Sequence, residues 1–102
     1  MKIKILKSAK KDLKDGYDFY ERQQSGIGTY FLESLFADIE SLKLFAGIHS
    51  IHFKNYHRLL SKRFPFAIYY KIVGSEIRIY AVIDCRKKPA WIREKFNKLI
   101  LS

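Results

Sequence analysis

The chain has 102 residues, 48% of them hydrophobic and 16% aromatic, a balance that points to one globular domain and excludes a disordered polymer. Twenty Lys and Arg against ten Asp and Glu leave a formal charge of +10, a field that attracts nucleic acid, an acidic protein surface or anionic lipid. One cysteine, Cys85, excludes an intrachain disulfide and a cysteine metal site, and a lone thiol fits a reducing compartment.

The first residues, Met1-Lys2-Ile3-Lys4-Ile5-Leu6, alternate charged and apolar side chains, so no export signal is expected. No stretch reaches transmembrane length. The expectation is a cytoplasmic domain over residues 1–102 with no membrane association. Lys2 to Ile5 has the period of two that marks a strand with one wet face. Ser8 is the expected N-cap of a helix running to Gln23, in which Ala9, Leu13, Tyr17 and Tyr20 share a face. Gly16 weakens that helix by ~1 kcal/mol relative to alanine. After the polar break Gln23-Gln24-Ser25-Gly26, a second helix is expected over Gly28–Phe45, with Phe31, Leu35, Phe36, Ile39 and Leu42 at helical spacing and Gly47 closing it. A short connection makes the two helices antiparallel.

From Ile48 the period changes to two. Tyr56–Lys62, Phe66–Val73 and Ile77–Ile83 are the expected strands, the last two joined by the hairpin turn Gly74-Ser75-Glu76. Pro65 stands just before its strand, where a missing N–H costs no ladder bond. Pro89 to Leu101 has roughly helical spacing. The reading is an α+β domain: an N-terminal strand, a helical hairpin on one sheet face, a three-stranded antiparallel meander and a short C-terminal helix. Phe31, Leu35, Ile39, Phe66, Ile68, Ile79 and Ala81 are the expected core, and Cys85 is expected to be buried or half-buried.

Two stretches resemble the RelE/ParE superfamily of toxins from bacterial type II toxin–antitoxin pairs. Phe19 to Leu35, FYERQQSGIGTYFLESL, is similar to the helix–turn–helix of the ParE branch. His57 to Ile92, HRLLSKRFPFAIYYKIVGSEIRIYAVIDCRKKPAWI, is similar to its sheet, with a basic residue before Phe-Pro-Phe and a basic turn leading to a proline and a tryptophan. The resemblance implies a toxin neutralised by a cognate antitoxin with an acidic, amphipathic C-terminal segment. ParE-like members imply DNA gyrase as the target; RelE-like members imply metal-independent cleavage of messenger RNA on the ribosome. The positions of the cationic and tyrosine residues of RelE hold His57, Leu59, Phe66 and Ile92 here, and an apolar residue replaces neither a cation nor a proton donor.

The favoured expectation is therefore a ParE-like toxin. The alternatives are a RelE-like endoribonuclease and a non-toxic basic nucleic-acid-binding module. His57, Arg58, Arg63 and Arg86 are the candidates for any catalytic set, and Arg63, Arg78, Arg86, Lys87, Lys88 and Trp91 for a target-binding surface. His49-Ser50-Ile51-His52 lacks nearby carboxylate or thiol ligands, so no metal is expected. No phosphate-cradling loop follows a strand, and no cofactor is expected.

Overall fold

A computed structural model describes residues 1–53 and 55–101, with the side chains of 1–53 and 55–99. The elements in order are β1 (Lys2–Ile5), α1 (Lys7–Gln23), α2 (Ile27–Glu40), α3 (Leu42–Phe45), β2 (Ile51–His52), β3 (Tyr56–Leu60), β4 (Phe66–Val73), β5 (Glu76–Asp84) and α4 (Pro89–Leu101). They form one five-stranded sheet in the order β1-β5-β4-β3-β2. The β1–β5 pair is parallel and the others are antiparallel.

The α+β reading holds, with differences that have local causes. The short β2 lacks the alternation that marks the longer strands. The second helix is interrupted at Ser41, whose hydroxyl donates to the Asp38 carbonyl. The third strand stops at Leu60 because Ser61 Oγ and Lys62 N both donate to the buried Asp38 carboxylate on α2, at 2.7 and 3.3 Å. Ser8 is not the N-cap. Leu6 holds that place, and Ser8 Oγ donates to the Tyr80 carbonyl at 2.6 Å. Cys85 is exposed rather than buried, because β5 has ended at Asp84 and the chain has turned out of the sheet.

The sheet has a core on each face. Phe31, Leu35, Ile39, Leu42, Phe66, Ile68, Tyr70, Ile77 and Ile79 join α1 and α2 to one face. Tyr56, Ala67, Tyr69, Ala81 and Ile83 meet Phe96 of α4 on the other. All seven expected core residues are buried. Gly16 is needed for close approach: a Cβ there would lie 2.5 Å from the Phe31 ring. Gly26, at φ 92°, makes the turn into α2, where the Glu21 carboxylate accepts from Gly26 N and from Gly28 N (2.9 Å).

A register shift in β4–β5 places Tyr80 as an extra residue on β5. β1 ends opposite Ile79, so the next edge groups of β5 need other partners. They find them on α1. Besides Ser8, the Asp12 carboxylate, 8% exposed, accepts from Val82 N at 2.9 Å. Its second oxygen pairs with Lys95 of α4. Ser8 and Asp12 are four residues apart and share a helix face. One row of α1 thus seals the sheet edge and ties down the helix from the opposite layer.

Candidate functional site

Pro65 places the loop before β4 against the end of β5. It has no N–H to give, but its carbonyl accepts from Cys85 N at 2.8 Å. The chain leaving β5 is then held by Asp84. Its carboxylate accepts from Arg86 N at 2.8 Å, Arg86 Nε at 2.9 Å and Arg86 Nη2 at 2.8 Å. The Arg86 guanidinium, and then its backbone N–H, keep the Asp84 carboxyl below its ordinary range despite partial burial; the same contact raises the Arg86 pKa. Nη2 also lies 3.4 Å from the Tyr20 hydroxyl.

Tyr20 begins a band of rings. Its ring centre is 4.9 Å from that of Phe64, which is 5.5 Å from Tyr30. Arg63 Nη1 donates to the Tyr30 hydroxyl at 2.8 Å. Arg63 and Arg86, 23 positions apart in sequence, thus flank one aromatic band. Beyond Arg86 comes Trp91, 45% exposed, with Lys87 Nζ 5.1 Å and Lys95 Nζ 5.7 Å from its ring centre. A cleft of about 310 Å³ lies here between α1, β5 and α4, lined by Phe19, Arg22, Asp84, Lys87, Trp91 and Lys95 among others. Lys88 is exposed in the same turn.

The other candidates lie elsewhere. Arg78 is bound to Glu76 at 2.6 Å, six residues before Asp84 on β5, or ~20 Å along the strand. His57 faces α1 and α2: its ring stacks on Tyr70, and Nδ1 lies 2.8 Å from the His49 carbonyl oxygen. Arg58 is paired across from Tyr69, which belongs to the α4-side core. Adjacent strand residues point to opposite faces, so His57 and Arg58 do not converge with each other. Leu59 and Phe66 pack in the first core and Ile92 against the second. Among the described residues, no group of three or more His, Cys, Asp or Glu is placed to hold a metal ion.

A feature absent from the sequence-derived site is an apolar groove on the helix pair. Ile5, Leu13, Tyr17, Leu32 and Phe36 line about 480 Å³, with Lys10 and the Lys14–Asp18 ion pair (2.9 Å) beside them. Ile5 and Phe36 also line a neighbouring hollow of about 500 Å³ along β1, reaching Lys2 and Lys43. β1 pairs on one side only, so its outer edge is open. Phe36 falls on the apolar stripe of α2 but at its margin, which leaves it half-exposed.

The family model described as the ParE toxin of the type II toxin–antitoxin system parDE matches residues 3–89. The chain belongs to the ParE toxin family. Among solved structures, it is similar to a chain of a chromosomal ParDE toxin–antitoxin system from P. aeruginosa, with a TM-score of 0.76 and 20% identity over 82% of this chain and 95% of that one. At that identity the likeness speaks for the fold alone. A comparison with curated proteins gives no significant match. The ParE match covers all of the first stretch that carried the resemblance and the second as far as Pro89, where α4 begins, leaving Trp91 and Ile92 beyond it. No described helix is long and apolar enough to cross a membrane.

Proposed function

We propose that this ParE-type toxin stops growth by binding an essential cytoplasmic machine, DNA gyrase or one like it, without cutting RNA. The observation that carries this reading is the fate of the RelE cationic positions. Phe66 occupies one of them in the core and Leu59 a second against it, so neither presents a cation to a scissile phosphate; the third holds His57, stacked on Tyr70 with Nδ1 at the His49 carbonyl oxygen. Arg63, Arg86, Lys87 and Lys88 are exposed at the corner that holds Trp91, which offers charge and aromatic surface for a partner.

The antitoxin, in this reading, lays an acidic amphipathic segment into the groove of α1 and α2. Leu13, Leu32 and Phe36 receive its apolar side, while Lys10 and Lys14 speed and orient the encounter. The test is induction of the gene with and without the product of its neighbour. Growth arrest is expected alone and rescue with the antitoxin. Phe36→Glu should preserve arrest, because this side chain is half-exposed, and should weaken antitoxin binding by about 30-fold or more, the size of an interface anchor. Unchanged affinity in a titration of the purified pair would remove the groove from the account.

A further inference from the structure

The α4-side face of the sheet carries a row of cations that the toxin reading does not use. Lys4 on β1 is paired beside Arg78 on β5, and Arg78 is opposite Lys71 on β4. Neighbouring strands are ~4.8 Å apart, so the three positions fall within ~10 Å across the sheet. Lys71 Nζ lies 4.6 Å from the Tyr56 ring centre and 5.2 Å from that of Tyr80, both on this face. Like charges directly opposite each other destabilise a sheet. Glu76 offsets only part of this, by its 2.6 Å contact with Arg78. Among the described residues, no carboxylate forms a salt bridge with Lys4 or Lys71, although the field of Lys4 also reaches Glu76. Phe96 of α4 covers the Ala67–Tyr69–Ala81–Ile83 end of the face, whereas Lys4 and Val73 are exposed and Lys71, Arg78 and Tyr80 half-exposed.

We infer that this half of the sheet is a second binding surface, for single-stranded nucleic acid held through its phosphates without sequence readout. Lys4, Arg78 and Lys71 form the phosphate track. A single strand, unlike a duplex, also brings unpaired bases to the Tyr80 ring between the cations, the combination used by sheets that bind single strands. An acidic peptide would satisfy the charges but not the ring. This inference stands apart from the choice of growth target.

The test is fluorescence anisotropy of a labelled single-stranded oligonucleotide titrated with the full chain at several salt concentrations. Lys4→Gln, Lys71→Gln and Arg78→Gln together should weaken binding at least 10-fold at low salt and flatten the log–log salt slope by about 2, the value for three lost contacts on a single strand. The charge-matched control Lys11→Gln, Lys14→Gln and Lys98→Gln should change neither much. Amide shifts in the unmodified protein should centre on Lys4, Lys71 and Tyr80, a readout independent of variant folding. Equal losses in both variants, shifts centred elsewhere, no binding at low salt, or a duplex of the same sequence binding as tightly would each overturn the inference.

Discussion

Asp12→Ala should lower the free energy of unfolding by about 3–5 kcal/mol, the usual cost of removing one member of a buried charge pair. The carboxylate binds Val82 N on the sheet and Lys95 on α4, and it is buried between them. Truncation strands an amide and an ammonium at once. Burial raises the Asp12 pKa, against the opposing pull of Lys95 and Val82 N. A carboxyl whose pKa is raised on folding favours its protonated form in the native state. Its contribution is therefore most favourable below the unfolded value and is reduced as pH rises through the folded one. The charged carboxylate is thus a costly fastener that joins α1, the sheet and α4. Asp12→Leu with Lys95→Leu should recover part of the loss, since it removes the stranded cation while Val82 N stays unpaired. Urea denaturation of the three proteins measures this. A loss below about 1 kcal/mol for Asp12→Ala would mean that α4 does not depend on this contact.

The second large effect concerns the corner. Arg86, Lys87 and Lys88 changed together to alanine should relieve growth arrest while leaving the melting temperature within a few degrees. All three are exposed, and substitutions of exposed residues away from a special feature usually cost less than about 0.5 kcal/mol each. Arg86 is the partial exception, because its contacts with Asp84 shape the turn. The Arg86 N–H to Asp84 bond survives the substitution, so the turn should hold. Viable counts after induction, read beside circular dichroism of the purified variant, check the result. Full toxicity in a folded variant would move the target surface away from this corner.

The elements were legible in the sequence where periodicity was long. Phe31, Leu35 and Ile39 fix α2 to the sheet, and the alternation in β4 and β5 gives two well-packed strands. Less legible was every feature made by one side chain reaching across the chain. Ser8 has the chemistry of an N-cap, yet a carbonyl freed by the β5 irregularity takes its hydroxyl. Asp12 reads as one more charge on a solvated helix until β1 is seen to end too early to cover β5. Of the candidate surface, Arg63, Arg86, Lys87, Lys88 and Trp91 lie at one end of the fold. Pro65 and Phe64 bring that about, through a carbonyl bond and ring packing that spacing does not encode. Arg78 shares their charge but stands along β5 with Lys4 and Lys71, a grouping visible only once strand register is known.

The central claim is that this ParE family member acts by binding its target, not by cutting messenger RNA. Mapping messenger ends in a reconstituted translation reaction tests it most directly. The account predicts no new codon-positioned ends at a concentration of the chain that blocks supercoiling by purified gyrase. Loss of even one preorganised charge-stabilising donor costs ~10²–10³ in rate, and Leu59 and Phe66 withdraw two such positions. Cuts that require the chain and vanish on changing Arg63 or Arg86 would contradict it.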